Sequence, residues 1–119
     1  MKNSLKDKVI VIDIAGDFSL VKTENHEMTS KLINLGFHLN ENGFFEKINN
    51  TQEERVSNIK SLINIDALFS SGKDWSPEEL MNYYSELGLI KQQYKIISWK
   101  SQNEYVIRTI LSDWYLCDS

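Results

Sequence analysis

The feature that most constrains the fold is an apolar, β-branched run near the start of the chain. Residues 8–15 read Lys-Val-Ile-Val-Ile-Asp-Ile-Ala, with valine or isoleucine at both alternating sets of positions. A strand shows this pattern when both of its faces are covered, so the run predicts a strand inside a sheet. The Gly16-Asp17 pair after it is typical of a tight turn, and residues 18–22 are predicted to return as a second strand.

The length fits a single domain, predicted to span all 119 residues, 1–119. A domain of this size buries roughly two-thirds of the surface that its unfolded chain exposes, so it needs no disulfide or structural metal to fold. Its single cysteine, Cys117, cannot form a bridge within the chain. One proline and five glycines argue against long disordered linkers.

The clearest hairpin signal is Asn42-Gly43, the preferred pair for a two-residue type I′ turn. That turn places Leu39 opposite Glu46. It also predicts one apolar face made of four side chains, Phe37, Leu39, Phe44 and Ile48.

Capping signals mark the predicted helices. Thr51 and Glu54 have the spacing of a capping box, in which each side chain bonds a backbone amide at the helix start. Ser76 and Pro77 are typical of an N-cap and a first helical residue, and Trp75 before them is placed for a hydrophobic staple. The predicted helices cover about 25–35, 51–64 and 76–87, and glycine follows the first and the third.

The remaining segments complete the predicted order of elements. Residues 65–74 are predicted to be a loop that packs on the core, and residues 94–111 a hairpin turning at 101–103. The order is then ββ-α-ββ-α-α-ββ. Because short turns force neighbouring strands to be antiparallel, we expect an α+β fold with a largely antiparallel sheet of hairpins and three helices packed on it.

A search for catalytic or metal-binding patterns yields only Asp13 as a suggestive residue. Several metal-dependent nucleases and phosphotransferases place an aspartate in a first strand, since Mg²⁺ prefers carboxylate oxygens on a rigid element. Such sites need further acids on other strands, and none of the later predicted strand cores offers a convincing one. His26 and His38 lack zinc-binding spacing. We therefore assign no catalytic, cofactor-binding or metal-binding residue and expect no enzyme, with phosphoryl chemistry at Asp13 as an alternative.

The chain has no stretch long and apolar enough to span a membrane. Its longest apolar run, residues 9–15, is interrupted by Asp13. Lysines precede the run, as in a signal peptide, but the run is short and lacks a small-residue cleavage site. We expect a cytoplasmic protein without a membrane partner.

Nucleic-acid binding is a second alternative. The formal net charge of −4 argues against non-specific binding to nucleic acid. Aromatic and basic residues nevertheless alternate in the last hairpin, where an aromatic sheet surface could stack bases. The residues in question are Tyr94, Lys95, Trp99, Lys100, Tyr105 and Arg108.

Acidic residues gather at the starts of the second and third helices and in the loop between them. Capping and helix dipoles explain such pairs without any function. Together they could form an acidic face that steers a basic protein. The predicted partner-binding residues are Glu53, Glu54, Asp66, Asp74, Glu78 and Glu79. The loop 65–74 leaves open whether the two helix starts lie on the same side.

In size, mild acidity and α+β character, the chain resembles the small bacterial immunity proteins of contact-dependent inhibition and related polymorphic toxin systems. Lysine outnumbers arginine by eleven to two, which favours a low-GC bacterial genome or a mobile element as the origin. A phage-encoded inhibitor of host defence would have nearly the same composition. The resemblance implies a tight one-to-one complex with a toxin domain whose active site or access to RNA is blocked. Many such toxins are basic nucleases, which suits an acidic inhibitor.

Overall fold

The computed structural model describes residues 7–71, 77–101 and 104–110. In this part of the chain the elements follow the order ββαββαβαββ. The strands are β1 (Ile10–Asp13), β2 (Phe18–Lys22), β3 (His38–Leu39), β4 (Phe45–Ile48), β5 (Leu68–Ser70), β6 (Tyr94–Trp99) and β7 (Tyr105–Ile110); the helices are α1 (His26–Asn34), α2 (Gln52–Asn64) and α3 (Pro77–Glu86).

One mixed sheet carries these strands in the order β3-β4-β2-β1-β5-β6-β7. The central strand β5 is parallel to both β1 and β6, and the other neighbouring strands are antiparallel. All three helices contribute to one core cluster with the sheet, through residues such as Leu32, Ile59 and Met81. A smaller cluster around Ile10, Leu68 and Ile97 lies on the opposite side of the same strands. The sheet thus has a helix-covered face and a second face, called here the open face, on which none of the described helices packs but whose centre is buried around Leu68 and Ile97.

The predicted α+β class with three helices is confirmed, but the predicted order of elements and the largely antiparallel sheet need correction. The segment predicted as the loop 65–74 contains β5, which joins β1 and β6 by parallel pairing. Leu68 and Phe69 are 1% and 0% exposed on opposite faces of this strand. A parallel strand covered on both faces is a short continuous apolar run, so periodicity does not distinguish it from a packed loop.

The register predicted for the hairpin of β3 and β4 is wrong by one residue. Leu39 lies opposite Phe45 instead of Glu46. The loop has three residues, because the Asn40 amide donates to the Phe44 carbonyl at 2.7 Å, and Gly43 alone in it has a positive φ, +87°. This is the geometry of a type I turn followed by a left-handed residue.

The shifted register follows from the side chain of Asn40. Its Oδ1 accepts hydrogen bonds from the backbone amides of Asn42 and Phe44, at 2.9 and 3.0 Å. These bonds hold the longer loop in place of the two-residue turn. As a result Phe45 is buried, whereas Leu39 and Ile48 of the predicted apolar face are exposed.

The local helix signals agree with the structure wherever it describes them. Thr51 Oγ1 accepts from the Glu54 amide at 3.0 Å, and Glu54 reaches back to the Asn50 amide at 2.9 Å. The glycines that follow α1 and α3, Gly36 and Gly88, both have positive φ. Helix α3 is described from Pro77 onward, within the predicted helix 76–87. The predicted N-cap Ser76, the staple residue Trp75 and most of the predicted turn 101–103 lie outside the described residues.

Candidate functional site

The starts of α2 and α3 lie at the same edge of the sheet. Arg55, in the first turn of α2, donates to the Gly16 carbonyl at 2.8 Å, in the turn that directly follows β1. Glu78, in the first turn of α3, accepts a hydrogen bond from Ser71, which directly follows β5. Because β1 and β5 are neighbouring parallel strands, their carboxyl ends share one edge. The starts of α2 and α3 therefore lie on the same side, a point that the sequence of the loop 65–74 leaves open.

Four of the predicted partner-binding residues lie along this edge, which we call the acidic edge: Glu53 and Glu54 on the side of β4, and Glu78 and Glu79 on the side of β7. Glu53, Glu54 and Glu79 are exposed. Glu78 is half-buried and pairs with Arg108 at 3.0 Å. Its hydrogen bond from Ser71 and the Arg108 guanidinium lower its pKa. The net negative charge that this edge presents to solvent therefore comes mainly from the other three glutamates.

Asp66 does not join the acidic edge. It follows α2 at the opposite edge of the sheet, where Lys95 and Lys8 approach its carboxylate at 2.9 and 3.1 Å. Its hydrogen bond from Lys95, with that from Lys8, lowers the pKa of Asp66. The backbone φ of Asp66 is +64°, a left-handed value at the end of a helix. Asp66 thus terminates α2 and links this end of the helix to Lys8 and to Lys95 of β6. Asp74, the sixth predicted partner-binding residue, lies outside the described residues.

A buried polar network beneath the acidic edge was not predicted from the sequence. Asn49 Oδ1 accepts hydrogen bonds from Ser19 Oγ and Asn58 Nδ2, both at 2.9 Å, and these three residues are buried. Asn49 Nδ2 also points at the carbonyls of Ile14 and Gly16 at 3.5 and 3.3 Å. The network ties the β1–β2 turn and the end of β4 to α2. The sequence offers only a weak signal for this network: Asn49 stands just before the start of a helix, where a buried asparagine has few other hydrogen-bonding partners.

Asp13 lies at the same edge, at the end of β1. Its Oδ1 accepts a hydrogen bond from the Ala15 amide at 3.0 Å, a contact that stabilises the turn into β2. Within residues 7–71, 77–101 and 104–110, no group of three or more histidine, cysteine, aspartate or glutamate side chains could hold a metal ion.

A divalent-metal titration tests the alternative of phosphoryl chemistry at Asp13. We expect Mg²⁺ and Mn²⁺ to produce no saturable rise in melting temperature, since one carboxylate engaged in a turn is a weak cation ligand. Thermal unfolding of the wild type and of Asp13→Asn should therefore respond equally to either ion. A saturable shift that disappears in Asp13→Asn would contradict this and favour a metal-dependent reaction.

The last hairpin divides its aromatic and basic residues between the two sheet faces. Trp99 and Tyr105 face each other across β6 and β7 on the open face, with ring centroids 5.3 Å apart. Tyr94 points into the core, where burial raises its pKa to about 12. Lys95 and Arg108 are held in ion pairs with Asp66 and Glu78. The six residues therefore do not form one surface, although Trp99 lines a depression together with Lys8 and Lys22.

Exposed apolar side chains lie on the open face at the same end of the sheet as the acidic edge. Phe18 begins β2 and Ile48 ends β4; their exposed fractions are 37% and 46%. The strand directions place both at the carboxyl end of β1 and β5. Trp99, at the end of β6, instead lines a depression with Lys8 and Lys22, which lie toward the other end of the sheet. Large exposed apolar groups beside charged ones are typical of protein-binding surfaces.

Comparison with known proteins adds no assignment. No family model matches the chain, and neither a curated protein nor a solved structure matches it. In the described part of the chain, no helix combines the length and apolar character needed to cross a membrane.

Proposed function

We propose that this chain is a protein-binding inhibitor that neutralises a basic bacterial toxin domain in the cytoplasm, as immunity proteins do. The observation that carries the proposal is the acidic edge, where the starts of two helices present glutamates beside exposed apolar side chains. A toxin domain that acts on nucleic acid has a basic cleft, and glutamate carboxylates can occupy the positions of phosphates in such a cleft.

The two parts of this edge have different roles in binding. Exposed carboxylates such as those of Glu53 and Glu79 attract a basic partner over several ångströms and raise its association rate. Aromatic and aliphatic side chains such as Phe18 and Ile48 supply the buried contact area that slows dissociation. An acidic patch alone would bind weakly, since exposed ion pairs contribute little free energy.

Charge reversal at the acidic edge tests the proposal. A Glu53→Lys/Glu79→Lys variant is expected to bind the partner with an association rate about tenfold lower at low salt, and with a flatter dependence on salt. The partner is the stoichiometric protein that co-purifies with the wild type from the native host. Surface plasmon resonance gives both rates, and the partner's toxicity is assayed with and without the wild type.

The matched control is Glu27→Lys. Glu27 is exposed and occupies the second position of α1, as Glu53 does in α2, but α1 begins at the opposite edge of the sheet. We expect its association rate to stay near that of the wild type. An unchanged rate in the double variant would refute a role for the acidic edge. A partner that the wild type binds without inhibiting would refute the inhibitor function itself.

A further inference from the structure

Strand β7 is the last strand in the lateral order of the sheet. On the side away from β6 it pairs with no described strand. It pairs with β6 over six consecutive residues without a bulge. Val106 and Ile107 on its two faces are 38% and 40% exposed. Proteins usually protect such an edge with proline, lysine or a bulge, because it can pair with another strand. Residues 105–110 contain neither proline nor lysine.

The hydrogen-bond pattern shows which backbone groups of β7 point outward. The Lys100 amide donates to the Glu104 carbonyl at 2.8 Å, so these residues form a hydrogen-bonded pair at the start of the hairpin. In an antiparallel ladder such pairs alternate with non-bonded ones. The amide and carbonyl groups of Ile107 and Thr109 are therefore directed away from β6, along the exposed edge.

We propose that β7 pairs in antiparallel fashion with β7 of a second copy of this chain, in a register centred on Val106. This twofold register places each Glu104 opposite Arg108 of the other copy and sets the two Val106 side chains against each other. A register centred on Arg108 would instead oppose two guanidinium groups. Charge complementarity thus favours the register centred on Val106 over the one centred on Arg108.

Arg108 can bind Glu104 of the second copy without giving up its contacts within its own chain. Those contacts, with Glu78 and Ser98, both use Nη2, at 3.0 and 3.2 Å. A guanidinium carries five N–H donors, so others remain for the carboxylate across the twofold axis. One pair of strands buries less surface than a standard interface, and the dimer is therefore expected to form reversibly and at high protein concentration.

Sedimentation equilibrium of the full chain over a range of concentrations tests the dimer. The wild type should shift reversibly from monomer to dimer as its concentration rises. Glu104→Arg and Arg108→Glu should each weaken association by about tenfold or more, since each puts like charges opposite one another twice. An equimolar mixture of the two variants should associate about as strongly as the wild type, because both charge pairs are then complementary.

The mixture separates a contact between copies from a folding defect. A folding defect caused by losing the Glu78–Arg108 pair in Arg108→Glu would also be present in the mixture. Recovery of association in the mixture would therefore exclude such a defect as the cause. Glu104→Arg changes an exposed side chain, and Glu27→Arg, far from β7, should leave association unchanged. A wild type that stays monomeric at every concentration, or a mixture that associates no better than either variant, would overturn the proposal. Because partner inhibition is measured separately, neither result decides the proposed function.

Discussion

Replacing Asn49 by alanine is expected to lower the free energy of unfolding by about 3 kcal/mol or more. The substitution removes the shared acceptor of Ser19 and Asn58 and leaves two buried donors without their partner. An unsatisfied buried polar group costs about 1–3 kcal/mol, and the lost side-chain amide adds to this cost. Since the network joins β2, β4 and α2, its loss loosens the attachment of α2 beneath the acidic edge.

Urea unfolding of Asn49→Ala and Asn50→Ala measures the effect. Asn50 is the adjacent residue of the same type, but it is exposed, and the bond it gives to Glu54 comes from its backbone. We expect Asn50→Ala to change the unfolding free energy by less than about 0.5 kcal/mol. Equal midpoints for the two variants would show that the Asn49 side chain does not stabilise the fold.

Replacing Phe69 by alanine is expected to cost about 3–5 kcal/mol, the usual range for a fully buried phenylalanine. Phe69 lies in β5 under the helices, with its ring in edge contact with Tyr94 at 6.3 Å between centroids. The alanine would leave a cavity where β5 meets α3 and β6. The prediction tests whether Phe69 is fully buried under the helices, as its place in β5 requires.

The comparison with Phe18→Ala isolates the effect of burial. Phe18 begins β2 on the open face and is substantially exposed. We expect its replacement to cost about 1 kcal/mol or less, because much of its ring already contacts water. If thermal or urea unfolding gave similar losses for the two variants, the placement of β5 in the centre of the sheet would be wrong.

Part of the candidate site can be predicted from the sequence, because it depends on contacts within a helical turn. Thr51 and Glu54 announce the start of α2, and the spacing of Pro77 and Glu79 announces that of α3. The glutamates follow from the same signals, since acids are favoured in a first turn. That the two helix starts lie at the same edge of the sheet does not follow from these signals, because it depends on the direction of β5 in the sheet.

Strand β6 illustrates the same limit of sequence-based prediction. The alternation in residues 94–99 predicts that Tyr94 and Trp99 lie on opposite faces of β6. It does not predict which face the helices cover. That depends on the parallel crossovers between β1, β5 and β6, which join segments more than twenty residues apart.

The class of fold, the three helices, the cap at Thr51 and the glycines that end α1 and α3 follow from the sequence, because each rests on side chains within about four residues of one another. The tertiary structure alone decided the strand β5, the hairpin register set by Asn40, the separation of Asp66 from the glutamates and the network around Asn49. These features depend on which distant strands become neighbours and in which direction they run. Short apolar segments are compatible with several such pairings, and only the packing of the whole sheet against its helices selects one.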